Sequence, residues 1–223
     1  MYIAIICIAG MIFQAAFMEA ERRERYLPAL LFKGAASLIF VTIGIIAYGY
    51  SSKASYSVRV LTGLVLGAIG DIMLNLQYFS KKYSKAIFLT GVLSFFAGHV
   101  MYLVALIALS DAIMVPVICG IIFAAVTLAI LFYILKPEPV YKAFGILYIG
   151  TIFIMCATAV NNYISSQTTG SLLFAAGAIL FTVSDVVLIF NIFGDETTHL
   201  RRVVNLSCYY VAQLLIASTM FFA

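Results

Sequence analysis

The sequence predicts an all-α membrane protein, a bundle of about eight transmembrane helices. Three observations predict it. Hydrophobic residues make up 65% of the 223 residues and charged residues only 10%, whereas soluble domains sit near 45–50% and about 25%. The apolar runs are long enough to span a bilayer, which takes roughly 17–25 residues each. The connectors between them are short and hold most of the charge. The chain therefore reads as a single polytopic domain over 1–223, with possible halves 1–110 and 111–223.

Taken in order, the spans are expected at 2–18, 28–50, 59–78, 86–108, 112–135, 140–161, 170–193 and 202–222. The first is read as a span and not a cleavable leader, because it has no basic n-region and no clean small-x-small site. The connectors are Glu19 to Arg25, Ser51 to Ser57, Ser80 to Lys85, a bare turn at Ser110-Asp111, Lys136-Pro137-Glu138-Pro139, Ser165 to Thr169 and Gly194 to Arg202. Eight spans put both termini on one side. The opposite side carries Arg22, Arg23, Arg25, Lys81, Lys82, Lys85, Lys136, Lys142, Arg201 and Arg202, against Lys53 and Arg59 on the terminus side. That bias places the basic connectors in the cytoplasm and both termini outside, in the cytoplasmic (inner) membrane if the source is bacterial. The net charge of +4 is thus a topology signal, and no nucleic-acid partner is expected.

Two carboxylates interrupt this pattern. Asp71 lies in the third run and Asp185 in the seventh, in matching settings: Gly70-Asp71-Ile72-Met73-Leu74 and Ser184-Asp185-Val186-Val187-Leu188. A charged Asp at the middle of a membrane helix costs roughly 2.5–3.5 kcal/mol, so such residues are read as functional. They stand 114 residues apart, and the same offset carries Phe95-Phe96 onto Tyr209-Tyr210 and Gly98-His99 onto Ala212-Gln213. The copies would run in the same direction, as in parallel repeats about an axis along the membrane normal.

Span limits give depth. Asp71 and Asp185 lie seven and eight residues from the cytoplasmic ends of their helices, about 10–12 Å in at 1.5 Å per residue. Lys33 enters from the same side, Asn75 is one turn from Asp71, and Asn191 and Asn205 are near that mouth. His99 with Tyr102, and Gln213 with Tyr209 and Tyr210, lie deeper. Gly63 and Gly67 form a GxxxG pair that Asp71 continues at i+4, so Asp71 should face the bundle. Each group has a packing alternative. Lys33 could be a snorkelling anchor, His99 an interhelical donor, and the amides interhelical glue. Tyr26, Tyr78 and Tyr83 read as interfacial belt residues. Four single cysteines (Cys7, Cys119, Cys156, Cys208) argue against disulfides and a metal cluster, and two histidines against a His-rich zinc site; no cofactor is expected. There is no Gly-x-Ser-x-Gly elbow and no phosphate-binding loop.

The ordered set Gly70-Asp71-x-x-Leu74, Gly98-His99-x-x-Tyr102, Ser184-Asp185-x-x-Leu188 and Tyr209-Tyr210-x-x-Gln213 resembles the YhhN family, which includes the lysoplasmalogenases. The resemblance covers essentially the whole chain; one departure is Gly34 after Lys33, where members often carry Pro. It implies an eight-span enzyme that hydrolyses the vinyl-ether bond of an alkenyl lysophospholipid to a fatty aldehyde and glycerophospho-ethanolamine or -choline. Its partners would be that lipid and the bilayer, with no obligate protein partner evident. Asp71 and Asp185 are expected to be the catalytic residues, one protonated as general acid and one ionised. Lys33, Asn75, His99, Tyr102, Asn191, Tyr209, Tyr210 and Gln213 would bind or orient. The preference is for Asp185 as acid and Asp71, beside Asn75, as the ionised partner. A proton-coupled small-molecule transporter is the alternative, because paired membrane aspartates and parallel repeats suit a proton relay too.

Overall fold

The computed structural model describes residues 2–194 and 198–223, without the side chains of residues 2–4 and 140. It contains eight α-helices: α1 Tyr2–Arg22, α2 Tyr26–Tyr48, α3 Ala54–Leu76, α4 Ser84–Ile107, α5 Met114–Leu135, α6 Pro139–Ser166, α7 Thr169–Phe193 and α8 His199–Ser218. Short 3₁₀ turns, Gln77–Phe79 and Thr219–Phe222, prolong α3 and α8. No strand occurs among the described residues. This is what a bilayer demands, since a helix satisfies its own backbone groups where water cannot. Among the described residues, seven helices, α2 to α8, are long and apolar enough to cross a membrane. The chain is an integral, multi-pass membrane protein.

Each expected span falls on a helix, the first on α1, which is not among those seven, and the ends move for local reasons. α1 runs on to Arg22 because Glu19 pairs with Arg22 at 2.9 Å and Arg23 at 2.5 Å, the i+3 and i+4 positions of a helix. Those two guanidinium groups push the Glu19 carboxyl down to about 2. α3 starts at Ala54, earlier than the apolar run, because Tyr56 is buried with its hydroxyl 2.7 Å from Thr219 Oγ1. α6 continues past residue 161 because its polar end has partners. Asn162 donates to the Leu106 carbonyl at 3.0 Å and accepts from Ser110 Oγ at 2.7 Å.

The stops are chemical too. Glu24, Lys136 and Gln167 take positive φ at the ends of α1, α5 and α6. Pro139 opens α6, where a missing N–H costs nothing. Thr168 and Ser171 form a reciprocal capping box on α7, and Thr198 caps α8. The connector expected at Gly194 to Arg202 includes residues 195–197, which lie outside the described residues.

Helices pack as sequential hairpins: α1 on α2, α3 on α4, α5 on α6 and α7 on α8, joined by α2 to α3, α4 to α6 and α2 to α8. Phe40, Ile43, Leu64, Phe174, Phe181 and Ile216 are fully buried at the centre. Lipid removes the hydrophobic drive between helices, so close approach has to come from small residues. On α5 the stripe Pro116, Gly120, Ala124 and Leu128 is buried, and a Cβ at Gly120 would stand 2.6 Å from the Ile154 backbone of α6. The opposite face of α5 exposes Ile118, Ile122 and Phe123.

Candidate active site

Asp71 sits where the small face of α3 ends. Gly63, Gly67 and Gly70 precede it on neighbouring rows, and each admits a side chain from another helix: Tyr102, Gln213 and Phe95 respectively. The carboxylate is buried and triply held. Lys33 Nζ lies 3.1 Å from Oδ1; Ser37 Oγ donates to Oδ2 at 2.6 Å and Tyr209 OH at 2.7 Å. Lys33 is 3% exposed and its ammonium sits over the Tyr209 ring at 4.5 Å and the Phe17 ring at 5.2 Å. It does not snorkel. An ion pair held this far from water survives because both carboxylate oxygens are held by donors, Oδ1 by the ammonium and Oδ2 by two hydroxyls. α2 supplies two of those donors from one face, since Ser37 is one turn beyond Lys33.

Asp185 keeps different company. Tyr148 OH of α6 donates to its Oδ2 at 3.1 Å. His99 Nε2 of α4 stands 3.5 Å from the same oxygen without a well-formed hydrogen bond. Tyr148 and Phe181 press edge-on against the imidazole, with centroids at 5.4 and 4.5 Å. Among the described residues, no lysine or arginine pairs with Asp185. Beside it, α7 and α8 are clasped: Asn205 donates to Ser184 O at 2.8 Å, and Ser184 Oγ donates back to Asn205 O at 3.0 Å.

Both aspartates line one cavity of about 330 Å³. Its polar wall is Lys33, Asn75, Tyr148, Asn191, Asn205 and Tyr209, and its outer rim carries Glu21, Tyr78 and Arg202. All these residues lie at the end of the bundle where the basic connectors are. A second, almost wholly apolar pocket of about 110 Å³ opens between α4, α5, α6 and α7, walled by residues such as Leu128, Phe132 and Phe144. The two share Leu74, Phe88, Phe95, Tyr148, Asp185, Leu188 and Ile192. Asp185 thus stands at the junction of a polar chamber and an apolar slot. Such a shape fits an amphiphile: a polar head toward the rim, a reactive linkage at the carboxylates, a hydrocarbon tail between helices.

The profile of the YhhN family matches residues 28–220. The chain belongs to the YhhN family. Two curated relatives match it. One, named lysoplasmalogenase TMEM86B, from Sus scrofa, is 32% identical over 165 residues, which is 73% of this chain and 63% of that protein. The other, named a lysoplasmalogenase homolog, from Dictyostelium discoideum, is 24% identical over 166 residues, 62% of this chain and 52% of that protein. The chain thus spans less than two thirds of the length of either relative. No solved structure matches it.

In this YhhN protein the residues singled out from sequence fall into three groups. Asp71, Asp185, Lys33, Asn75, Asn191 and Tyr209 line the cavity. His99, Tyr102 and Gln213 do not line it; His99 and Gln213 touch groups that do, and Tyr102 reaches them through Gln213. Tyr102 OH donates to Gln213 Oε1 at 2.7 Å, Gln213 Nε2 donates to Tyr209 OH at 3.3 Å, and Tyr209 donates to Asp71. Tyr210 turns away and donates to the Ala36 carbonyl at 3.0 Å. Asn75 reaches the backbone carbonyl of Asp71 at 3.0 Å, not its carboxylate, so it is not what distinguishes the two acids. Ser37 and Tyr148 escape sequence reasoning, and Ser184 enters it only as a motif neighbour of Asp185. Ser37 had one signal, its i+4 spacing from Lys33. Tyr148 looks like any aromatic in an apolar run.

Proposed function

We propose that this protein hydrolyses the vinyl-ether bond of a lysoplasmalogen, releasing a fatty aldehyde and a glycerophospho-ethanolamine or -choline. The observation that carries the reading is the unequal pair of buried carboxylates on one cavity, one paired with a lysine and one not. The names of the two relatives support it independently.

The chemistry follows from that inequality. Lys33, Ser37 and Tyr209 stabilise the charged form of Asp71. Asp185 has only neutral neighbours among the described residues unless His99 is protonated, and an uncompensated buried carboxylate is costly. Asp185 therefore carries the proton and Asp71 the charge. Asp185 protonates the alkenyl carbon distal to the ether oxygen, and the chain end becomes an oxocarbenium ion. The Asp71 carboxylate faces that cation across the cavity and stabilises it. Water then adds to the carbon bearing oxygen and yields its proton to Asp71. When the hemiacetal collapses, the leaving glycerol oxygen takes that proton from Asp71, and the hemiacetal hydroxyl proton returns to Asp185. The C–O bond breaks, one water is consumed, and both carboxyl groups regain their starting states.

In this account Tyr148 and His99 position Asp185, while Gln213 and Tyr102 fix the Tyr209 hydroxyl. The apolar slot takes the hydrocarbon chain, which enters from the bilayer. The test is release of aldehyde from an alkenyl lysophospholipid by purified protein in detergent. A hydrolase releases it without any ion gradient; a proton-coupled transporter does not.

A further inference from the structure

Two pockets meet at the rim, and what separates them is a charge pair. Arg202 of α8 donates through Nε to Glu21 Oε2 of α1 at 2.6 Å and through Nη2 to Oε1. Glu21 and Arg202, with Tyr78, line the inner cavity on one side and an outer bowl on the other. Tyr26 stands across that bowl, stacked on Tyr78 with centroids 5.0 Å apart. The cations nearby are already engaged: Lys33 with Asp71 and Arg22 with Glu19. A phosphate arriving at the rim therefore meets Arg202. A guanidinium has five N–H donors and a carboxylate about four lone-pair sites. Glu21 and Arg202 use two of each on one another, and Arg202 also hydrogen-bonds the Tyr78 hydroxyl, which leaves two donors and two acceptor sites. The pair remains partly open to solvent, with side-chain exposures of 39% for Arg202 and 11% for Glu21.

We propose that the Glu21–Arg202 pair, with the stacked Tyr26 and Tyr78, reads a zwitterionic phospho-ammonium headgroup. Arg202 holds the phosphate; Glu21 and the tyrosine faces hold the ammonium. The logic is charge matching. A lone arginine would favour any anion, whereas a pair of net zero charge is complementary to a headgroup of net zero charge. Aromatic faces add affinity for an ammonium or quaternary ammonium and none for a bare phosphate. The proposal rests on the lysophospholipid reading above and deepens it by naming the residues that select the headgroup.

The test is binding of stable 1-O-alkyl lysolipids, which have no vinyl ether, to the purified full-length protein. The panel carries phosphoethanolamine, phosphocholine, phosphate and phosphoglycerol heads. The wild type is expected to bind the two zwitterions at least tenfold tighter than the two anions. Glu21→Gln, which keeps the hydrogen-bonding shape and removes the charge, should shrink that preference to threefold or less. Tyr26→Leu, which leaves the ion pair untouched, should cut it at least threefold, most for the choline head. A wild type without headgroup preference overturns the proposal. So does a folded Glu21→Gln or Tyr26→Leu variant that keeps the full preference, which would reduce the pair to a tie between α1 and α8. Aldehyde release, measured in parallel, separates the two readings. Selective binding without release sinks the hydrolase and spares the headgroup site; release without selectivity does the reverse.

Discussion

Asp71 and Asp185 look alike in the sequence and differ in space, and that difference makes opposite predictions for their neutral variants. Asp185→Asn removes an acid whose neighbours are neutral. It should keep or raise the thermal midpoint in detergent while losing at least ~10²-fold in rate, the scale of a lost acid–base group. Lys33→Met strands a buried carboxylate, a loss of about 3–5 kcal/mol. The double variant Lys33→Met/Asp71→Asn should recover most of that midpoint and remain inactive. Were the double variant no more stable than Lys33→Met, the buried ion pair would not be what makes the lysine necessary. Sequence alone singled out both aspartates and Lys33, because a charge in an apolar run is conspicuous. It could not show Ser37 or Tyr148 as their donors. A serine or tyrosine inside a membrane helix is ordinary, and only the packing of α2 and α6 against α3 and α7 gives these two their meaning.

At the level of helices, the glycines of α3 act as seats for side chains. A Cβ at Gly67 would stand 2.5 Å from Gln213 Nε2, the group that donates to Tyr209. Gly67→Ala should therefore displace Gln213, slacken the Tyr209 donor to Asp71 and lower kcat several-fold with little change in KM. Gly34→Ala is the matched control. Nothing lies within 4 Å of that Cβ, so turnover should hold and stability rise by up to about 1 kcal/mol from helix propensity. Equal rate losses in the two variants would break the link from Gln213 to the site. The spans themselves were legible because bilayer thickness sets their length. Their ends were not, since they depend on partners far away: Thr219 for the start of α3 and Leu106 for the end of α6.

At the level of the whole molecule, we propose that residues 1–110 and 111–223 are parallel repeats around the cavity. Shifting α1 to α4 by 114 residues lays each on α5 to α8, with ends agreeing within four residues. The contacts follow the same operation. Asp71 on α3 takes partners from α2 and α8; Asp185 on α7 takes them from α6 and α4. Phe95 and Tyr209, equivalent under the shift, pack edge to face at 5.8 Å. Divergence within this frame puts Lys33 on one side and Leu147 at the matching place on the other, which is how one carboxylate becomes paired and its counterpart does not.

Topology belongs to this scale as well. We propose that both termini lie outside; single cysteines at Lys82 and Ser165, both exposed, should then react in a cysteine-free background only from the cytoplasmic and the outer side respectively. The opposite pattern inverts the protein and moves the mouth of the cavity to the outer face. The most direct test of the central claim is aldehyde release from an alkenyl lysophospholipid by purified wild type, Asp71→Asn and Asp185→Asn in detergent, with no gradient present. The account predicts steady release by the wild type, at least ~10²-fold less by each variant, and a double variant little slower than either single one. Near-normal turnover by either folded variant would contradict the two-carboxylate mechanism.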